Sequence, residues 1–146
     1  MTVVIRQPNI HEQESVRALV QNVVDEVYGG LWAAPPIPID EEDWGLAWIA
    51  LVDGKIAGMV LTGEEWISDL WVLAEHRGYG IGRKLLAQAE IEIANRGHRT
   101  LRLRVVKSNT KAVNFYLGHG WRVEREFPNE TLPVTMLEMV KAQQVF

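Results

Sequence analysis

Between Trp66 and Val106 the hydrophobic period of the chain changes twice. "WISDLWVL" (Trp66–Leu73) reads as a strand, Ile81, Leu85, Leu86, Ala89 and Ile93 recur at helical spacing, and "TLRLRVV" (Thr100–Val106) reads as a strand again. Two strands joined through a helix lie parallel, and the crossover is right-handed. Any fold for this chain must therefore hold a parallel strand pair with a helix laid on the sheet.

The flanking segments add antiparallel strands. Thr2–Gln7 reads as a strand, and Val16, Leu19, Val20, Val23, Val24 and Val27 form one helical stripe that Gly29 and Gly30 end. "LWAAPPIPIDEEDW" is a loop, because its prolines cannot sustain a helix, and a short helical turn is expected to start with Asp40 as N-cap. "LAWIALV" and "KIAGMVLTG" flank Asp53-Gly54, a hairpin signal. "SNTKAVNFYLGHG" is a short helix capped by Ser108 or Asn109, and "WRVEREF" and "VTMLEMV" are two more strands. The order is strand, helix, three strands, helix, strand, helix, two strands. It predicts a mixed α+β sheet covered by helices. With no repeat or linker, residues 1–146 are expected to form a single domain.

Composition narrows the function classes. The chain has 146 residues, 47 % of them apolar, and no cysteine, so disulfides, thiolate metal sites and a cysteine nucleophile are excluded. The apolar runs are too short for a membrane-spanning helix, and "MTVVIRQPNI" shows no signal-peptide pattern, so a cytoplasmic location is expected. The four histidines do not pair at metal-ligand spacing, and no metal is expected. The net charge of −4 is divided: residues 1–70 carry −9, residues 71–111 carry +6, and residues 112–146 carry −1. A polyanion is expected at the middle segment and a cation near the first half. The basic segment lacks interleaved aromatics, so nucleic-acid binding is not expected.

The middle segment contains "EHRGYGIGRKLLAQAE", with Gly78, Gly80 and Gly82 just where the helix starts. The first N–H groups of a helix lack partners, and with the helix dipole they form an anion site. Glycines let the loop take positive φ and let an anion approach the backbone. Arg77, Arg83 and Lys84 add positive charge. The stretch is suited to phosphate; a glycine-rich turn without ligand is the alternative. Arg83 breaks the dinucleotide spacing, and Gly82-Arg83-Lys84-Leu85 lacks the P-loop Ser/Thr. R-x-x-G-x-G, with Arg77, Gly80 and Gly82, fits.

"LWVLAEHRGYGIGRKLL" resembles the acetyl-CoA-binding motif of the GNAT N-acetyltransferase superfamily. "LRLRVVKSNTKAVNFYLGHGW" is similar to the same family's later strand–Asn–Ala–Phe-Tyr–Gly-aromatic signature, and Ala74 stands where that family usually has proline. The resemblance implies a mostly antiparallel sheet of six to seven strands around a splayed parallel pair, flanked by about four helices. It implies acetyl transfer from acetyl-CoA to a primary amine, with a non-catalytic acyl-CoA sensor as the alternative. Leu70, Trp71 and Val72 would pair with the pantetheine arm. Arg77, Gly78, Tyr79, Gly80, Ile81, Gly82 and Arg83 would hold the pyrophosphate, chiefly through backbone N–H groups from Arg77 to Gly82. Asn109 would bond the pantetheine chain, and Tyr116 would stand near the thioester sulfur.

The chemistry needs a neutral amine, donors for the oxyanion and a proton for the leaving thiolate. A phenol with a pKa of about 10 is protonated at neutral pH and can supply that proton, so Tyr116 is the expected acid. Glu65 and Asp69 are candidate bases, on the opposite strand face from Glu64; a water chain is the alternative. Some members of the family carry a glutamate in the strand leading to the asparagine, where this chain has Leu103-Arg104-Val105. Trp32 and Trp44 could wall an acceptor pocket, and Trp48 is expected in the core. The acceptor is a small-molecule or peptide amine, expected to be cationic because Asp40–Asp43 lie beside Trp44. A homodimer stays open.

Overall fold

The computed structural model describes residues 1–30, 39 and 41–143. Its elements are β1 (Val3–Arg6), α1 (Gln13–Tyr28), β2 (Trp48–Val52), β3 (Lys55–Gly63), β4 (Trp66–Val72), α2 (Ile81–Asn95), β5 (Thr100–Val106), α3 (Thr110–Leu117), β6 (Arg122–Pro128) and β7 (Thr135–Ala142). The order is the expected one. The seven strands form one sheet, β1-β2-β3-β4-β5-β7-β6. Among the described residues there are three α-helices, where about four were expected, and three single 3-10 turns. The turn expected after the proline run is one of these, over Trp44–Leu46, and Asp43 caps it through Gly45 N–H. Asp40, the expected cap, lies outside the described residues.

Two compact units are present: Met1–Thr62 with Asp69–Ile91, and Gly63–Ser68 with Glu92–Phe146. In the first, β2 pairs antiparallel with β1 and with β3. The β2–β3 turn places Asp53 at φ +49 and Gly54 at φ +83, the two left-handed positions of a type I′ hairpin. The α1 stripe of Val16, Leu19, Val20, Val23 and Val24 is buried against Ile49, Leu51, Met59 and Leu61. Each such side chain contributes about 1.5–3 kcal/mol when fully buried, which holds α1 to the strands.

The entry to α1 is fixed by charge. Asn9 Oδ1 accepts from the N–H groups of His11 and Glu12, and Glu12 reaches back to the Asn9 N–H. Both Glu12 oxygens also accept from Arg6 at the end of β1, at 2.8 and 3.0 Å. The hydrogen bonds from Arg6, then that from Asn9, hold the Glu12 carboxyl at about 2. A depressed carboxyl contributes stability above its unfolded pKa and loses it as pH falls through the folded value. The melting temperature should therefore fall more steeply between pH 4.5 and about 2 in wild type than in Glu12→Gln. Glutamine keeps the cap but not the charge for Arg6. Parallel melting curves for the two proteins would contradict this.

In the second unit β5 has β7 beside it, antiparallel from Thr100 opposite Ala142 to Val106 opposite Met136. β7 pairs antiparallel with β6. The parallel register of β4 and β5 is recorded for Trp66 with Arg102 and Ile67 with Leu103. Period-2 alternation turns Leu101, Leu103 and Val105 into the core and leaves Arg102 and Arg104 on the opposite face. On β7, Glu138 stands opposite Arg104 of β5 and opposite Arg125 of β6, so all three side chains share that face.

Candidate functional site

β4 ends at Val72, a 3-10 turn spans Ala74–His76, and α2 begins at Ile81. Between them Gly78 and Gly80 lie at φ +87 and +80. A Cβ on Gly78 would meet nothing within 4 Å, and one on Gly80 only the Arg83 guanidinium at 3.6 Å. Glycine is needed there for the left-handed backbone rather than for space. Among the described residues, the N–H groups from Gly78 to Arg83 make no hydrogen bond; the next one, Lys84 N–H, bonds Gly80 C=O at 3.2 Å. Unpaired amides in succession at a helix N-terminus suit a diphosphate.

Arg77 departs from its sequence reading on two counts. Its N–H bonds Ala74 C=O, so the open amides begin at Gly78. Its guanidinium makes two 2.7 Å bonds to Glu26 on α1, and its Nε donates to Val72 C=O at 3.0 Å. The hydrogen bonds it donates to Glu26 push its pKa up, against the effect of burial. Arg77 thus ties the loop to α1 and to the end of β4. Arg83 and Lys84 are exposed in the first turn of α2, and Tyr79 is exposed in the loop.

Leu70, Trp71 and Val72 are half-buried. Leu73 N–H pairs back to Ala57 C=O on β3 at 2.8 Å, so the preceding Val72 carbonyl turns away from β3. The Trp71 indole N–H donates to Asp69 at 3.0 Å, and its ring meets Tyr28 of α1 edge-on at 6.1 Å. Asp69 is therefore tied to its own strand. Glu65 lies in the β3–β4 turn rather than in the strand, and its carbonyl accepts from Arg102 N–H. It stands at the opposite end of β4 from Leu70–Val72. Glu64, at φ +52, has its carboxylate 3.4 Å from His98.

In the second unit, Asn109 caps α3 by accepting from Ala112 N–H at 3.3 Å. The alternative cap, Ser108, is not used. Tyr116 is 8 % exposed, with its ring edge-on to Phe115 and Trp121 at 5.3 and 5.8 Å. Trp121 N–H bonds Tyr116 C=O, which fixes the turn after α3.

The tryptophan and acidic readings need adjustment. Trp44 is a core residue, 6 % exposed, packed with α1 and β2. Trp48 is half-buried, and among the described residues its indole N–H has no acceptor. Glu41 pairs with Arg17 at 3.0 Å and Asp43 caps its own turn. Both therefore have structural partners. Trp32 lies outside the described residues.

Sequence reading passed over Glu138. It is 6 % exposed and bonded by Arg104 at 3.2 Å, by Arg125 at 3.3 Å and by Arg102 at 3.5 Å. Burial pushes its carboxyl up, but the hydrogen bonds and charges of Arg125 and Arg104 outweigh that and hold it below the usual range. The available signal was a lone carboxylate inside the apolar run "VTMLEMV".

The profile of the Acetyltransferase (GNAT) family matches residues 17–121. An uncharacterized N-acetyltransferase of Methanocaldococcus jannaschii is 36 % identical over 88 residues, 56 % of this chain and 55 % of that protein. A mouse thialysine N-epsilon-acetyltransferase is 37 % identical over 51 residues, 35 % of this chain and 30 % of that protein. The chain spans about half the length of the archaeal relative it matches. Among solved structures, a Thermoplasma acidophilum PaiA N-acetyltransferase in complex with coenzyme A superposes at TM-score 0.75 with 18 % identity, covering 98 % of this chain and 100 % of that one. This last likeness shows the fold.

Proposed function

The chain belongs to the acetyltransferase (GNAT) family, and on that premise we propose that it transfers an acetyl group from acetyl-CoA to a primary amine. The run of unpaired amides from Gly78 to Arg83 carries the reading. It supplies an N–H cradle for the pyrophosphate, with Arg83 and Lys84 as diffuse positive charge. Leu70–Val72 offer backbone groups to the pantetheine amides, and Asn109, oriented by its capping bond, offers its carboxamide. Residues 1–146 act as one domain, in the cytoplasm; among the described residues no helix is long and apolar enough to cross a membrane.

The amine nitrogen attacks the thioester carbonyl carbon, the C–S bond breaks, and the thiolate takes the Tyr116 proton. The amine proton leaves to Asp69 or to water. Asp69 is favoured over Glu65 because it lies in the strand beside Leu70. Much of the rate comes from holding amine and thioester together. The acceptor class, a small-molecule or peptide amine, is supported by a relative named for acetylating thialysine at its ε nitrogen. Initial velocities with both substrates varied test the direct attack: intersecting lines are expected, and parallel lines, with an acetylated enzyme seen by mass spectrometry, would overturn it.

Arg77 serves this reading as a tether. Breaking an exposed pair of this kind costs up to about 1 kcal/mol. Glu26→Gln and Arg77→Lys should each weaken acetyl-CoA binding by about five-fold or less, and together by no more than either alone. Calorimetry checks this. Were Arg77 itself a phosphate ligand, freeing it with Glu26→Gln would tighten binding instead.

A further inference from the structure

One face of β5, β7 and β6 carries a guanidinium cluster outside the residues proposed above to hold acetyl-CoA. Arg104 and Arg125 both donate to the same oxygen of Glu138, at 3.2 and 3.3 Å. The Arg104 guanidinium carbon lies 4.9 Å from the Trp66 ring centre and 5.4 Å from that of Phe127, and the Arg125 one 4.3 Å from Phe127. Arg104 is thus held by two aromatic rings and Arg125 by one, and each is fixed at one nitrogen by a buried carboxylate. The Arg104 and Arg125 side chains are each 50 % exposed. Arg104 bonds Glu138 through Nε alone, so among the described residues both its terminal nitrogens have no acceptor.

Charge balance favours an anion there. Arg102, Arg104 and Arg125 face Glu138 and Glu124, and exposed Arg122, in the same register row as Arg102, adds a further cation, so positive charge exceeds negative on this face. Two like charges crowd one carboxylate oxygen, and a further anion would relieve that repulsion. Glu124 and Glu138 border the same face, and a singly charged carboxylate meets less repulsion from them than a phosphate dianion does. An oriented guanidinium fork matches a planar carboxylate in two parallel bonds. In sequence Arg104 precedes Asn109 by five residues and lies on the strand that leads into α3 and Tyr116.

We propose that Arg104 and Arg125, oriented by Glu138, Trp66 and Phe127, form a subsite for the carboxylate of the acceptor. The acceptor is then an amino acid or peptide with both an amine and a carboxylate. This rests on the transferase reading above, and the first arm of the test is independent of it.

In that arm the arginine Nε–H signals of the full chain are followed by ¹⁵N NMR without acetyl-CoA, while N-acetylglycine, N-acetylglycinamide or inorganic phosphate is added at matched ionic strength. The signals of Arg104 and Arg125, assigned from Arg104→Lys and Arg125→Lys, should move with the carboxylate and not with the amide, and less with phosphate. Equal movement with the amide, no movement, or a larger response to phosphate would overturn the subsite. In the second arm, kcat/KM is compared for L-lysine and its decarboxylated analogue cadaverine. Wild type should favour lysine by about 10- to 100-fold, through KM, and Arg104→Lys should lose most of that preference while keeping a charge for Glu138. An unchanged preference in the variant would overturn the assignment to the acceptor. Absence of any transfer would count against the transferase reading, and the NMR arm would still decide the anion site.

Discussion

Tyr116→Phe should lower kcat by about 10²–10⁴ while leaving acetyl-CoA affinity within about three-fold of wild type. The split follows from what the substitution removes. Phenylalanine keeps the ring that packs on Phe115 and Trp121 at 5.3 and 5.8 Å. It lacks only the hydroxyl proposed to protonate the departing thiolate, an interaction made as the C–S bond breaks. Single-turnover rates with acetyl-CoA and an amine, set beside calorimetric affinities, separate the two effects. An acyl donor with a less basic leaving thiolate should restore part of the rate, since such a thiolate needs less protonation. Unaltered turnover in Tyr116→Phe would remove the residue from the mechanism.

Gly80→Val should raise the acetyl-CoA Kd by about ten-fold or more. Gly80 sits at φ +80, where a β-branched residue is strained, and its neighbours supply the open amides. Relaxing that strain moves the N–H groups off the positions a diphosphate needs. Gly97→Ala is the control. Gly97 has φ +91 just after α2, so alanine there carries a similar backbone cost far along the chain from the loop. It should lower the melting temperature and leave acetyl-CoA affinity as it was. Equal affinity in wild type and Gly80→Val would end the phosphate-loop reading.

The element order was legible because each segment carries its own period. The α1 stripe and the β5 alternation both need one buried face, and the sequence displays which residues supply it. The Asp53-Gly54 turn was readable because few residue pairs tolerate two left-handed positions in succession. The Arg77 tether was not readable. Its partner Glu26 is 51 positions away on another element, and no local pattern records such a pairing. The same holds for Glu138, whose arginines arrive from β5 and β6 through strand register. Asp40 and Asp43 were equally good caps by residue type, and only the backbone path decides between acids so close together. Trp44 was read as a pocket wall for a related reason: a tryptophan beside a polar loop suggests a lining residue, but here its ring joins the core under α1.

The central claim is that an amine takes the acetyl group that this loop brings in. It is tested most directly by incubating the protein with acetyl-CoA labelled with ¹³C in the acetyl group and a panel of primary amines that includes amino acids. Thiol release and labelled N-acetyl product are then counted in the same sample. The account predicts equal amounts of thiol and labelled amide for at least one amine, with far slower thiol release when amine is left out. Tight acetyl-CoA binding with no thiol release and no labelled amide across the panel would contradict it and favour an acyl-CoA sensor.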